Sequence, residues 1–156
     1  MVSAFDVAAY ILARKGGMSA MKLQKLLYYC QAWSLVWDDT PLFKERIEAW
    51  ANGPVVRAVY AWQRGFYSVY GDGTLESGAR IPGSADVLDA SQRETVDAVL
   101  HFYGDKNSQW LSDLTHMEPP WRDARADVPD GAPSNREITL EKMAEYYSSI
   151  APTNQA

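Results

Sequence analysis

Asp113 and His116 stand one helical turn apart, with Ser108 and Ser112 on the same stretch. A carboxylate that orients an imidazole beside a hydroxyl is the minimal set for acyl transfer. The spacing argues little by itself, because Asp–His pairs at i, i+3 are ordinary helix contacts. No Gly-x-Ser-x-Gly elbow accompanies them. The plainer reading makes His116 a hydrogen-bonded residue at a helix exit, where its protonated form also suits the helix dipole. A small enzyme using Asp113 and His116 is the less favoured reading, and the expectation is that the chain is not an enzyme.

Other chemistries find less support. Cys30, His101 and His116 show no ligand-pair spacing, so no metal and no cofactor is expected. Gly71-Asp72-Gly73 is a turn signal and lacks the phosphate-cradling fingerprint. Glu45 and Glu48 read as surface carboxylates paired with Lys44 and Arg46. Cys30 lies in an apolar helical pattern and reads as a small buried hydrophobe. The stretch Leu114 to Arg125 is the most unusual: it holds His116, the pair Pro119-Pro120 and Trp121. Pro119 drives Glu118 toward extended geometry, the Pro pair stops the preceding helix, and Trp121 follows on a stiff backbone.

The chain that must position these residues has 156 of them, enough for one domain with one core. Residues 1–150 read as that domain and 151–156 as a flexible tail. Apolar residues make up 47% and charged residues 22%, a balance that argues against disorder. The net charge of −5, with no Lys/Arg run, argues against a nucleic-acid partner. One cysteine excludes an intrachain disulfide, no secretory signal is seen, and no apolar run could span a bilayer; a cytoplasmic location without membrane contact is expected.

Helical periodicity starts after Ser3, with Asp6 completing a near capping box, and stops at Gly16-Gly17. Ser19 caps a second helix whose Leu23, Leu26, Leu27, Cys30, Trp33 and Trp37 make a wide apolar face. Lys22, Lys25, Tyr29 and Gln31 fall beside or opposite that face. Ile47 to Ala49 alternates as a short strand or hairpin, Asn52-Gly53-Pro54 turns, and Pro54 is placed to start a third helix. Phe66 to Ala90 reads as a long surface connection. Ser91 with Glu94 would box a fourth helix, Ser108 would cap a fifth, and Thr139 a last one. The expected fold is mostly α: a compact bundle of about six helices with a short β-hairpin after the second.

Two segments together carry a resemblance. One is Met21-Lys22-Leu23-Gln24-Lys25-Leu26-Leu27-Tyr28-Tyr29-Cys30-Gln31-Ala32-Trp33, continued by Pro41-Leu42-Phe43 and Ile47-Glu48-Ala49-Trp50-Ala51-Asn52-Gly53-Pro54-Val55-Val56. The other is Leu114-Thr115-His116 with Pro120-Trp121. The pairing resembles the Panacea domain family, the SocA-like and GepA-like antitoxins of bacteria and phages. Cys30 stands where Ala is more usual, and Ala51-Asn52 where a Tyr before Gly is common.

The resemblance implies a type II antitoxin that neutralises a cognate protein toxin, encoded by an adjacent gene, through direct protein–protein binding. The family pairs with unrelated toxin classes, including alarmone-synthetase-like ones. One relative acts as an adaptor that delivers its toxin to a protease, which gives the alternative mechanism. Within the motifs, Leu23, Gln24, Trp50, Gly53, Pro54, Thr115, His116, Pro120 and Trp121 are expected to be structural. Lys22, Lys25, Tyr28, Tyr29, Gln31, Arg57, Tyr60 and Arg64 are the expected partner-binding residues, since Tyr and Arg dominate interface hot spots.

Overall fold

The computed structural model describes residues 2–152. Helix α1 (Ala4–Lys15) starts where the Ser3 hydroxyl accepts from the Asp6 N–H and the Asp6 carboxylate accepts from the Ser3 N–H. It ends at Gly16, whose φ of +86° suits glycine. A short strand β1 (Met18–Ser19) leads into α2 (Ala20–Trp37), capped by the Ser19 hydroxyl. Strands β2 (Ile47–Trp50) and β3 (Gly53–Val56) form the hairpin expected after the second helix, with Ile47 opposite Val56 and Trp50 opposite Gly53. Helix α3 (Arg57–Gln63) and strand β4 (Ser68–Val69) follow, the latter antiparallel to β1.

Helices α4 (Ala90–Tyr103), α5 (Ser108–Met117) and α6 (Pro119–Ala124) come next, then strand β5 (Glu137–Ile138) and helix α7 (Leu140–Ile150). Strand β5 pairs antiparallel with the outer edge of β2, giving a three-stranded sheet in the order β3-β2-β5. Seven α-helices and two small antiparallel sheets are thus present among the described residues, and the mostly helical expectation holds.

The arrangement turns on α2. Every residue from Leu23 to Ser34 is buried, because α1, α4, α5, α7 and β3 all pack around it. A helix buried on all sides draws its polar residues inward too.

Several local expectations are corrected. Pro54 does not begin a helix; it lies in β3, on a strand edge that needs no donor from it. The fourth helix is boxed by Asp89 and Gln92, two residues before the Ser91–Glu94 pair. Burial of Leu88 and the Arg93 guanidinium on its carbonyl fix that earlier start. Asn107, one residue before Ser108, caps α5. The Pro pair does follow the end of α5, with Glu118 extended at φ −100°, ψ 137°. It also opens α6, since prolines in a first helical turn lack only N–H groups that would be unpaired there.

The stretch 66–90 is not a bare surface connection. It contributes β4, a Thr74–Arg80 bridge and a 3-10 turn, and buries Val69, Leu75, Ile81 and Leu88. At Gly83 it lies so close to α1 that a Cβ would stand 2.6 Å from the Phe5 carbonyl carbon. Of the expected tail, Ala151 and Pro152 are described, and 153–156 lie outside the described residues.

Candidate functional site

Burial of α2 from Leu23 to Ser34 decides the roles of its polar residues. Gln24 uses both ends of its amide on β3: its oxygen accepts from the Val56 N–H (2.7 Å) and its nitrogen donates to the Val56 carbonyl (3.4 Å). Gln31 does the same for the chain entering β2, accepting from Leu42 N–H (2.7 Å) and Phe43 N–H (3.2 Å) and donating to Phe43 O (2.7 Å). A buried backbone group without a partner costs about 1–3 kcal/mol. These two glutamines therefore substitute for missing strand neighbours.

Lys25 is the third such residue. Its Nζ donates to the Pro54 carbonyl and to Met21 Sδ, both at 3.1 Å. It is fully buried, and burial pushes its pKa down to about 7. Gly53 makes room for it: a Cβ there would sit 2.5 Å from Lys25 Cε, on a backbone with φ +119°. Gly53→Ala is therefore expected to destabilise the fold by about 1–3 kcal/mol, read as a fall in the urea midpoint. A midpoint unchanged from the parent would show that the Lys25 stem can give way.

Tyr28 and Tyr29 are buried in an aromatic cluster built on one carboxylate. Glu118 Oε1 accepts from Tyr29 OH (2.7 Å) and Tyr147 OH (2.8 Å). The Tyr28 and Tyr147 hydroxyls lie 3.0 Å apart. Tyr29 stacks on Tyr103, whose hydroxyl accepts from Trp33 Nε1. Burial raises the Glu118 pKa, and the two phenol donors oppose that rise. Helices α2 and α7 thus meet on one acid at the α5–α6 junction, and α4 joins them through Tyr103 against Tyr29.

The expectation that Lys25, Tyr28, Tyr29 and Gln31 face a partner is corrected accordingly: all four are inside, holding backbone and core together. Tyr29→Ala would test stability and not contact.

The second motif secures the hairpin tip. Trp121 Nε1 donates to Trp50 O (2.8 Å), and Ser112 Oγ to Asn52 O (2.7 Å). Thr115 Oγ1 donates to Ser112 O (2.7 Å), and Pro120 is buried beside Trp121. His116 lies flat on Trp121, with ring centroids 4.0 Å apart and planes 12° apart. Its Nε2 is buried without a hydrogen-bond partner among the described residues, which corrects the hydrogen-bonded reading. Burial, and then the Lys25 charge, lower its pKa.

The acyl-transfer set is not assembled. Asp113 accepts from Gln109 (2.8 Å), Ser112 is committed to Asn52, and no hydrogen bond joins Asp113 to His116. Among the described residues no cluster of three or more His, Cys, Asp or Glu could hold a metal ion. No helix there is long and apolar enough to cross a membrane.

Some residues that matter were not singled out by the sequence. Arg125 is buried and donates to Ala49 O (3.0 Å), Pro129 O (3.2 Å) and Ala132 O (2.7 Å). Glu48 is likewise buried, where a surface pair was expected. It accepts from Trp50 Nε1 (2.9 Å) and faces the guanidiniums of Arg46 (3.3 Å) and Arg57 (3.7 Å). The alternation Ile47-Glu48-Ala49 had marked a strand; strand β5, paired on its far edge, had no such signal.

A groove of about 930 Å³ lies open at the surface beside the hairpin. Trp50, Arg57, Tyr60, Phe66 and Tyr67 line it, with Asn135 across from them. Arg57 and Tyr60, two of the expected contact residues, are therefore brought together. Lys22 and Arg64 are not among its lining residues. Trp50 and Tyr60 meet edge to face at 4.7 Å.

A family model described as "Antitoxin SocA-like, Panacea domain" matches residues 23–122. That interval runs from the buried face of α2, through the hairpin and groove, to the α6 turn carrying Trp121. No curated protein and no solved structure gives a significant match. With nearly two thirds of its length covered, the chain belongs to the SocA-like antitoxin family of Panacea domains.

Proposed function

We propose that the protein is the antitoxin of a type II pair and neutralises a cognate protein toxin by direct protein–protein contact. The toxin is the product of an adjacent gene, and residues 1–150 act as one binding domain without a cofactor. The observation that carries this reading is the family match over residues 23–122. The fold supports it in one further respect. Its motif residues are consumed in holding α2, the hairpin and the α5–α6 turn together, which leaves contact to exposed side chains. Of the expected contact residues, Arg57 and Arg64 are exposed and Lys22 and Tyr60 partly so.

Coexpression with the neighbouring open reading frame tests the reading. Growth arrest by that frame alone, relieved together with a stoichiometric complex on a tagged chain, is the expected result. Relief without a complex, with toxin half-life restored in a protease-deficient host, would replace occupancy by delivery to a protease. An absence of both toxicity and complex would remove the antitoxin assignment for that gene pair.

A further inference from the structure

Lys25 is buried with few acceptors around it. An ammonium has three N–H donors, and Nζ finds the Pro54 carbonyl and Met21 Sδ, each at 3.1 Å. No charge offsets the burial, and desolvation alone lowers its pKa. Strand β3 brings no titratable side chain to it. Helix α5 brings His116, whose Nε2 is itself buried without a partner among the described residues and whose pKa the Lys25 charge lowers. Of the two acceptors the thioether is the weak one, so much of the cost of desolvating the amine stays unanswered.

Met21 is also a methionine that opens on the groove. It is partly buried and lines the groove with Gln24, Trp50 and Tyr67, so a molecule as small as peroxide reaches it. Met143, in contrast, is fully buried, and Met117 at the end of α5 is 64% exposed. A thioether sulfur carries two lone pairs; Lys25 engages one of them, and the other is free to attack.

We propose that Met21 is an oxidation site whose sulfoxide oxygen becomes the strong acceptor that Lys25 lacks, so that peroxide tightens this fold. The sulfur attacks one peroxide oxygen and the O–O bond breaks. Sulfur is oxidised by two electrons to the sulfoxide, and the second oxygen leaves as water with both peroxide protons. The open groove gives the sulfur room to back away while its new oxygen stays on Nζ. Sulfoxides formed in cores usually disrupt packing; here the polar group arrives beside an ammonium short of acceptors. The same step turns an apolar part of the groove wall polar, which makes that surface responsive to oxidant. This site is independent of the antitoxin reading, because it rests on the Lys25–Met21 contact and on the groove alone.

Peroxide-treated and untreated chains are compared by peptide mass spectrometry and by urea titration. Sulfoxide is expected on Met117 and on Met21, with Met143 spared while the chain is folded. At about pH 6.5, where Lys25 is charged, oxidation should raise the urea midpoint by about 0.5 M. The rise should shrink at about pH 8.5, where the amine of the unoxidised fold is largely neutral. Met21→Leu keeps the apolar volume and should show no rise after the same treatment, which separates Met21 from every other oxidised residue. Met21→Gln brings an amide oxygen toward Nζ and should raise the midpoint without peroxide, again more at the lower pH.

Met21 left unoxidised after Met117 is fully converted would overturn the proposal. So would a midpoint that falls or stays unchanged on Met21 oxidation, a rise equal at both pH values, or a rise that survives in Met21→Leu. A lower midpoint in Met21→Gln would overturn the capture of the new oxygen by Lys25.

Discussion

Trp121→Ala is expected to destabilise the protein by about 3–5 kcal/mol, the usual cost of emptying a large buried aromatic site. Against a typical domain stability of roughly 5–15 kcal/mol, that leaves a substantial unfolded fraction. Trp121 is 8% exposed, and three separate contacts end on it. The indole N–H holds the Trp50 carbonyl at the hairpin tip. His116 stacks on one side, and the Arg125 guanidinium lies 5.1 Å from the ring centroid. Truncation leaves His116 and the Trp50 carbonyl without that partner.

Trp121→Phe separates the terms. It retains apolar area and a stacking surface but loses the N–H, so about 1 kcal/mol is expected. Urea titration of the three proteins reads both effects. An alanine variant within about 1 kcal/mol of the parent, below the range for such truncations, would show that the α5–α6 turn does not anchor the hairpin.

Lys25 gives the other large effect, and it is pH-dependent. In the unfolded chain its amine keeps a proton up to the ordinary lysine value of 10.5, whereas burial in the fold lowers that to about 7. Between these values the unfolded state binds more protons, so stability rises with pH. Below pH 7 both states are protonated and the whole penalty is present. Across the full window it amounts to about 5 kcal/mol.

Cys30 and the buried tyrosines, raised by burial, act in the opposite direction at higher pH, so the clean interval is pH 7 to about 8.5. Over it the parent should gain about 2 kcal/mol relative to Lys25→Met, which keeps the stem and removes the titrating group. Unfolding free energies of the two proteins at both pH values provide the measurement. Parallel changes in parent and variant would show that Lys25 is hydrated in the folded state. Losing the donor to the Pro54 carbonyl should shift the variant by a pH-independent offset, which does not enter the slope.

The helix caps at Ser3, Ser19 and Thr139 were legible because they depend on residues three apart. The hairpin was legible because alternation is a local signal, although its turn is Ala51-Asn52 and Gly53-Pro54 already belong to β3. The starts of α4 and α5 were misplaced by one or two residues, because packing of Leu88 and competition between neighbouring caps chose among acceptable starts. Helix α6 was missed because a Pro pair reads equally as an ending and as a first turn.

The candidate site was less legible than the fold. A helix with six apolar positions on one face looks amphipathic, and an amphipathic helix assigns its Lys, Gln and Tyr to solvent. That inference fails for α2, since what covers its other face, β3, α5 and α7, lies 20 to 120 residues further along the chain. Glu48 shows the same failure. Its own strand was found, while Arg57, whose guanidinium faces it, and strand β5, which pairs with that strand, belong to later elements.

The sequence by itself determined the mostly helical class, the hairpin after the second helix, and the family, because caps, periodicity and motif blocks are written in neighbouring residues. Only the tertiary structure decided that Gln24, Lys25, Tyr29 and Gln31 are internal fasteners, that Asp113 and His116 are not joined, and that Arg57 and Tyr60 share a groove. Burial and pairing depend on which distant segments arrive, and residue spacing along one helix carries no record of that arrival.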